Sequence, residues 1–569
     1  MPVVTATITY GEVRPAPAIP ATYRLLSIDV RSEVNRIPSA EIRLIDGNVL
    51  NEYKVTDGEC FTLGNTITIE LRYEGKEEGG TLFEGIVVRQ TLGWAAEGAI
   101  LVVTLKDIAV KLTTTRQSAV YHDMTDLQII NELLENPDGA ALNGALLNGS
   151  TPSVKHSSMV QYDCTLWDFI CLRAEALGML VTVDAGQVSL TPMKTKGIGK
   201  SLLKFTWGTN MYEFEVEAAA EHPYGEVNSL AWDPTANALT DTKKATAMTA
   251  PEGKIDPAMV AMKVNRQMCQ LKHPVPAEVG ELQAWANARL SRSSLATVRG
   301  RISIPGNAKL ELLNAIDIEG ISKQFSGTVL VTALHHRYDR SGWRTNVQFG
   351  LSPERLCQRA EIAEVPAAGL LPPVRGLQIG VVAAFEEDPK KQLRVKVILP
   401  GIDDKPAGAV WARLATMDAG AHHGTIFRPE VDDEVVIGFL FNDPRHPVIL
   451  GAMFGSKNKG PNDFGSPEAM NEKKGIITKK GTTLQFDDGQ NPSLRIATTH
   501  FDPQLTDIRI NSIVIRDNNG ITLKDQYGNS IVMSREGITI DAGSGTVSIK
   551  GGMVNVDKSM GMPNQAGQP

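Results

Sequence analysis

The sequence has few cysteines, few aromatic residues and no long apolar run, and each shortage excludes a class of protein. Its five cysteines form an odd, scattered set without a Cys-x-x-Cys pair, which argues against a disulfide framework and a zinc site. The longest apolar stretch, residues 435–441, is far too short to span a membrane as a helix. Lysines and arginines form no long cluster and the net charge is −8, so neither a nucleic-acid partner nor an anionic membrane is indicated.

The first residues lack the charged and apolar regions of a secretory signal peptide. We therefore expect the chain to be made and folded in the cytoplasm, and any role outside the cell to need another export route. A length of 569 residues predicts several domains, and 42% hydrophobic with 21% charged residues is an ordinary globular composition. The 51 glycines and 6% aromatic residues favour strands and turns over helices.

The most regular feature lies between Leu484 and Val556, where an alternating strand of roughly five residues recurs about ten times. Polar or glycine-containing breaks, such as residues 517–520 and 527–529, supply sharp corners between the strands. Such a repeat predicts a needle of stacked strands on the order of 50 Å long. The residues predicted to face its core are Ile513, Ile515, Ile521, Leu523, Ile531, Met533, Ile538, Ile540, Val547, Ile549, Val554 and Val556.

Two architectures are compatible with this repeat. A strand with two inward residues cannot bury both of its flanks, so a single chain climbing in this way would leave apolar edges exposed. Three chains wound into a triangular prism would cover those edges, because each chain contributes one face at each level. A one-chain parallel β-helix with three faces per coil is the alternative, and the periodicity leaves both open.

Residues 1–365 have a strand-rich pattern that is interrupted by helical periodicity and then resumes. Two helices are predicted to begin at Thr125 and Thr165, within an insertion at about residues 113–178. Further helices are predicted at residues 257–269 and 281–296. A Pro/Ala-rich joint at residues 363–373 then divides the chain. The pattern predicts a mainly β module, not a doubly wound sheet.

Residues 374–456 contain short strands at a spacing typical of an OB-type barrel, whose usual ligands are oligonucleotides or sugars. Acidic groups at residues 386–388, 403–404 and 432–433 would repel phosphate, which argues against nucleic acid. Several motifs in this region resemble the OB domain of VgrG-type spike proteins, found in phage baseplates, type VI secretion systems and extracellular injection particles. They are GLQIGVV from Gly376, LRVKVILP from Leu393, WARLA from Trp411, FRPEVDDEVVIGF from Phe427 and DPRHPVILG from Asp443.

The order of parts is also similar to a fused phage hub and spike. The resemblance implies a hub-like β-barrel module at residues 1–365 and an OB-fold barrel at 374–456. It also implies an intertwined triple-stranded β-helix needle at 476–557 and a tip tail at 558–569. The implied partners are two further copies of the chain in a homotrimer, tail tube and baseplate proteins, and a PAAR-type tip protein. Tip docking is expected at Met553, Val554, Val556 and Met560.

No set of residues with catalytic spacing is present, and no cofactor or metal is expected. About 20 residues (456–475) separate the barrel from the needle, too few for the lysozyme domain of the phage spike. The acidic pairs, including Asp487/Asp488, are typical of solvated turns. The histidine pairs His335/His336 and His422/His423 lie in or near strands, where neighbouring side chains face opposite ways and cannot share an ion.

The expected function is mechanical. The chain is predicted to be the trimeric central hub and spike that links the tail tube to the baseplate and punctures a target membrane. It would be assembled in the cytoplasm and delivered outside, or into a target cell, when the machine fires. The alternative is a β-helix enzyme that degrades polysaccharides or cell walls, with a sugar-binding OB domain. The sequence does not indicate the type of contractile system, the cargo or the target cell.

Overall fold

Strands dominate the structure. In a computed structural model of the chain, 45% of the residues lie in strands and 13% in helices, which confirms the predicted mainly β fold class. The chain forms two units, Met1–Glu364 and Val365–Pro569. The structure describes residues 3–47, 52–75, 79–95, 98–136, 142–149, 153–193, 201, 203–246, 255–359, 362, 366–464, 471–498 and 510–555.

The first unit contains strands β1 to β21 and helices α1 to α4 within its described residues. The strands are β1 Val4–Tyr10, β2 Arg24–Glu33, β3 Ser39–Asp46, β4 Thr66–Tyr73, β5 Gly79–Ala95, β6 Gly98–Lys106, β7 Arg116–Thr125, β8 Leu146–Leu147, β9 Lys155–Thr165, β10 Met179–Asp184, β11 Gln187–Pro192, β12 Leu203–Thr206, β13 Glu213–Ala218, β14 Glu226–Asp233, β15 Ala238–Leu239, β16 Lys243–Lys244, β17 Met268–His273, β18 Val298–Pro305, β19 Ala315–Glu319, β20 Gly327–Asp339 and β21 Gly342–Phe349. The helices are α1 Asp126–Glu135, α2 Leu166–Ala176, α3 Pro257–Lys263 and α4 Val279–Leu295, with 3-10 turns at Ile108–Thr113 and Leu356–Gln358.

Twelve of these strands form one sheet that joins the beginning of the unit to its end. The order is β1-β4-β5-β6-β3-β2-β20-β21-β18-β13, and β19 links β12 to β20. The two halves meet where β2 pairs antiparallel with β20, which places Val30 opposite His336. Alternate residues are buried in two apolar clusters, one around Ile42 and Ile69 and the other around Ile304. The β module is therefore completed by strands that follow the helical insertion.

The two helices of the insertion, α1 and α2, each begin at a threonine N-cap. The hydroxyl of Thr125 accepts a hydrogen bond from the backbone N–H of Gln128, and the Gln128 side chain accepts one from the N–H of Thr125 at 2.9 Å. The hydroxyl of Thr165 accepts from the N–H of Asp168 at 3.1 Å. Each cap satisfies N–H groups that have no partner inside the helix, which is why α1 and α2 begin where the sequence predicts.

Trp167 and Phe169 of α2 are 7% and 5% exposed, so they belong to the apolar core of the insertion. The helix predicted at residues 257–269 ends early at Lys263, because Met268 and Cys269 belong to β17, which pairs parallel with β14. The helix predicted at 281–296 is α4. Within the described residues, no helix combines the length and apolar character needed to cross a membrane.

The second unit contains strands β22 to β35 within its described residues. They are β22 Gln378–Val382, β23 Val395–Ile398, β24 Val410–Leu414, β25 Ala419–Gly420, β26 His423–Gly424, β27 Glu434–Phe439, β28 Pro447–Ala452, β29 Lys473–Ile477, β30 Thr483–Asp487, β31 Ser493–Ala497, β32 Ser512–Arg516, β33 Gly520–Lys524, β34 Ser530–Ser534 and β35 Gly537–Asp541. Short 3-10 turns lie at Pro366–Gly369, Pro406–Gly408, Leu440–Asn442 and Asn462–Phe464.

Five strands of this unit close into a small barrel in the order β22-β23-β24-β28-β27. Its core includes Val397, Val435 and Ile437, all fully buried. Residues 425–427 follow the short β25–β26 hairpin and lie outside the strands of the barrel.

Asp388 holds the turn that enters β23. Its carboxylate accepts hydrogen bonds from the backbone N–H groups of Lys390, Gln392 and Arg394 at 3.0, 2.7 and 3.2 Å. It also accepts from the Arg394 guanidinium at 2.6 and 3.0 Å, and this contact holds the pKa of Asp388 well below its usual range. Asp388 is therefore bonded to Arg394, the second residue of the LRVKVILP motif.

Candidate functional site

The repeat near the C-terminus folds as a seven-stranded antiparallel meander from β29 to β35, in which each strand pairs with the next. Each strand has five residues, so its second and fourth side chains share one face and its first, third and fifth share the other. Consecutive antiparallel pairing is incompatible with a parallel coil. The one-chain parallel β-helix considered from the sequence is therefore wrong for the strands that the structure describes.

The register places apolar side chains in two columns on one face, which we name the apolar ladder. The first column contains Ile476, Leu484, Ile496, Ile513, Leu523, Ile531 and Ile540. The second contains Phe486, Leu494, Ile515, Ile521, Met533 and Ile538. Each member lies directly opposite the next across a strand pair. Cross-strand apolar pairs of this kind stabilise a sheet and fix its register.

The opposite face of the same sheet is polar at most positions. Its central column runs through Gln485, Arg495, Val514, Thr522, Val532 and Thr539. The strand ends on this face include Arg516, Lys524 and Asp541. The sheet is therefore two-sided, with one face suited to water and one face suited to an apolar partner.

The members of the apolar ladder are exposed or half-buried in the isolated chain. The exposed fractions of Ile513 and Ile515 are 39% and 42%, and those of Ile538 and Ile540 are 70% and 54%. Full burial of one such side chain stabilises a protein by about 1.5–3 kcal/mol. A continuous exposed apolar face of this kind marks an interaction surface.

The corners of the meander are fixed by backbone and side-chain chemistry. Gly520 has φ +72°, and a Cβ there would clash with the carbonyl oxygen of Met533, so only glycine fits. The Asp525 carboxylate accepts from the side-chain amide of Asn529 at 2.7 Å and from the backbone N–H groups of Tyr527 and Asn529 at 2.9 Å. These bonds, led by the amide of Asn529, lower the pKa of Asp525.

Eight of the residues predicted to form the needle core lie in the apolar ladder, from Ile513 to Ile540. Val547, Ile549 and Val554 are described but lie outside the strands, with exposed fractions of 48%, 71% and 55%. Val556 lies outside the described residues. Their burial in a trimer stays a prediction, because one chain shows no partner surface.

The core residues predicted from the sequence begin at Ile513 and leave out the first part of the ladder, although the predicted repeat begins at Leu484. Ile476, Leu484, Phe486, Leu494 and Ile496 share the same face as the predicted residues. The same period-two alternation marks them in the sequence, but the break between β31 and β32 is longer than the others.

Tip docking at the C-terminal residues also stays a prediction. Met553 and Val554 are 80% and 55% exposed. Val556 and Met560 lie outside the described residues. The described part of this segment therefore offers two apolar side chains to a partner.

The side chains of His335 and His336 bond different partners. The His335 Nε2 atom lies 2.8 Å from a carboxylate oxygen of Asp29, whereas the buried His336 bonds the hydroxyl of Thr345 through Nδ1 at 2.9 Å. Burial, with a smaller contribution from His335, lowers the pKa of His336 to about 4. No group of three or more His, Cys, Asp or Glu side chains that could hold a metal occurs in the described part of the chain.

The acidic pairs serve as turn acceptors. Asp403 accepts from the N–H of Lys405 at 3.0 Å, and Asp433 accepts from the N–H of Glu430 at 2.8 Å. Asp487 accepts from the N–H of Gly489 at 3.0 Å. Each pair thus has a structural role in its turn.

Three protein families match successive parts of the chain. Residues 3–339 match the family described as the Alg8 N-terminal domain. Residues 378–454 match the type VI secretion system/phage-baseplate injector OB domain. Residues 506–560 match the phage baseplate V C-terminal trimerisation domain. The last match covers β32 to β35, the second half of the apolar ladder.

Curated relatives share parts of the chain. The Pseudomonas aeruginosa type VI secretion system spike protein VgrG1b is 25% identical over 209 residues, which cover 35% of this chain and 28% of that protein. The Vibrio cholerae spike protein VgrG3 is 34% identical over 71 residues, 12% of this chain and 7% of that protein. The chain thus aligns with well under a third of the length of these relatives.

Solved structures align with large parts of the chain at low identity and with TM-scores below 0.5. The Escherichia coli c3393 protein, described as a component of the type VI secretion system, has a TM-score of 0.41 at 13% identity, over 78% of this chain and 99% of that one. The PdpA-VgrG complex, in its lidless form, has a TM-score of 0.40 at 10% identity, over 92% and 98%. The assignment rests on the sequence families and the curated relatives. The chain belongs to the Alg8 N-terminal domain family over residues 3–339 and, with its injector OB and trimerisation domains, is a VgrG-type spike protein.

Proposed function

We propose that this chain is the trimeric central hub and spike of a contractile injection machine. In this role the first unit links the tail tube to the baseplate, and the needle is driven through the target membrane. A PAAR-type tip protein docks on the end of the needle, near Met553 and Val554. The particle is assembled in the cytoplasm, and the spike leaves the cell when the machine fires.

The observation that carries this proposal is the apolar ladder. In one chain the members of both columns are exposed or half-buried, yet the strand register is continuous over seven strands. Three copies would each supply one such face to a common axis, and each would bury its ladder against the other two. The match of residues 506–560 to a trimerisation domain supports this arrangement.

The polar face and the net charge suit the outside of such a shaft. A trimer carries three times the formal charge of −8, or −24. This charge favours solubility and repels nucleic acid. The stiffness of stacked strands supplies the mechanical role, and no chemical step is required of the chain.

The first experiment is the mass of the purified full-length chain in solution. Three copies of a 61.6 kDa chain predict a particle of about 185 kDa. Replacing Ile515 and Ile521 by aspartate places charges on the apolar ladder and is expected to dissociate the trimer. The control replaces Val514 and Thr522, on the polar face of the same strands, by aspartate. A stable monomer of the unaltered chain would overturn the proposal.

A second experiment tests the position of the chain in the particle. An epitope tag fused after Pro569 is expected to be labelled at one end of isolated particles and to be displaced on contraction. Antibody labelling viewed by electron microscopy makes this measurement. Label distributed along the particle, or label absent from particles that contract normally, would contradict the spike role without contradicting the trimer.

A further inference from the structure

A small cavity in the first unit lies where α2, α4 and the segment after β21 meet, and we name it the arginine pocket. Its volume is about 150 Å³. Since a water molecule takes about 30 Å³ in the liquid, this space suits a few waters or one small anionic group. The lining residues that matter here are Glu175, Trp285, Arg289, Arg292, Arg355 and Cys357.

Positive charge exceeds negative charge in this pocket. Three arginines line it, and Glu175 is the one carboxylate among the lining residues. Glu175 is already engaged, because its Oε2 atom lies 3.2 Å from Arg292 Nη2 and accepts the backbone N–H of Leu356 at 2.9 Å. Burial lowers the pKa of Arg292, Glu175 opposes this shift, and the nearby Arg289 adds to it. Among the described lining residues, one carboxylate therefore balances three arginines whose positive charges repel one another.

Two buried N–H groups in the cluster have no acceptor in the part of the chain that the structure describes. The Arg292 side chain is only 8% exposed, and its Nη1 atom donates to the carbonyl oxygens of Ser352 and Glu354 at 3.0 and 3.1 Å. Its Nε atom and the Nε atom of Arg355 are buried without a partner among the described residues. Because buried donors are nearly always satisfied, an additional acceptor is expected at this site.

We propose that the arginine pocket binds a single oxyanion group, either free phosphate or the carboxylate of an acidic side chain. The planar guanidinium fork matches the paired oxygens of both groups. The wall formed by Trp285 and the stems of the arginines reduces the local dielectric, which strengthens such a contact. This site does not depend on the trimer, so it extends beyond the spike role.

Cys357 supplies a reporter inside the pocket. It is the exposed member of the five cysteines, whereas Cys60, Cys164 and Cys171 are buried and Cys269 is half-buried. The full-length protein is treated with iodoacetamide at constant ionic strength, and modification of Cys357 is followed by peptide mass. Inorganic phosphate at about twice its Kd is expected to slow this reaction about threefold, and chloride is expected to have no effect.

Matched variants separate a pocket from a general salt effect. Arg289→Gln and Arg355→Gln are expected to abolish protection by phosphate, with unchanged circular dichroism. Arg340→Gln, which changes an exposed arginine in the β20–β21 turn, is expected to retain it. A parallel series with N-acetylglutamate amide distinguishes the two sources: the probe that protects at lower concentration identifies the group that the pocket prefers.

Two outcomes would overturn the proposal. The first is the absence of protection by both probes in the folded protein. The second is equal protection in the unaltered chain and in both pocket variants.

Discussion

At the residue scale, the buried His336 makes the first unit sensitive to acid. Its pKa falls from 6.5 to about 4, chiefly because burial disfavours the charged ring. The unfolded chain therefore binds more protons than the folded chain between these two values. The resulting stability is fully present above pH 6.5 and is lost as the pH falls towards 4.

We expect the unfolding free energy of the first unit to fall by about 2 kcal/mol between pH 7 and pH 5 because of His336. In His336→Gln this part of the pH dependence is expected to disappear. Denaturant unfolding at the two pH values makes the measurement. His422→Gln, which changes an exposed histidine, serves as the control. An unchanged pH slope in His336→Gln would show that other groups cause it.

A second residue-scale prediction concerns Asp388, which accepts five hydrogen bonds in one turn. In Asp388→Asn, the side-chain NH₂ group faces N–H donors that now bond to a carboxylate oxygen, so hydrogen bonds are lost. The barrel is therefore expected to melt several degrees lower. Asp404→Asn, at an exposed position, is the control. Because the folded pKa is depressed, the contribution of Asp388 is present above pH 3.8 and is lost below it. Calorimetry at neutral pH would contradict this role if both variants melted alike.

At the element scale, the two faces of the meander are predicted to differ in their tolerance of polar residues. Ile531 lies in the apolar ladder, and Val532 lies next to it on the polar face. Ile531→Thr is expected to destabilise the trimer by about 1–2 kcal/mol per chain, because apolar burial is lost. Val532→Thr is expected to change little.

The comparison measures the temperature, or the detergent concentration, at which each purified trimer dissociates. Both variants keep a β-branched residue, so strand propensity changes little and the difference reports the face. An equal loss of trimer stability in both variants would show that the apolar ladder does not form the buried side of the shaft.

At the scale of the whole molecule, trimer formation is predicted to depend on the C-terminal segment. Removal of residues 506–569, which include the trimerisation match, deletes half of the apolar ladder. The shortened chain is expected to have the mass of a monomer and to retain the circular dichroism of the first unit, which has its own apolar cores. A shortened chain that remains trimeric would place the principal contact elsewhere.

Much of the fold was predictable where the signal is local. The N-caps Thr125 and Thr165 bond to groups in the first turn of their own helices. The alternation of apolar and polar residues from Ile513 to Ile540 indicates which side chains share a face. The early end of α3 was not predictable, because Met268 and Cys269 pair parallel with β14, which lies about forty residues earlier in the chain.

The sequence by itself determined the strand period, the corner glycines and the division between an apolar and a polar face, because each depends on neighbouring residues. Only the tertiary structure decided that the strands of one chain form an open antiparallel meander and that β2 pairs with β20. It also assembled the arginine pocket from α2, α4 and the segment after β21. Contacts between distant segments depend on the free energy of the whole packed unit, and no local pattern specifies them.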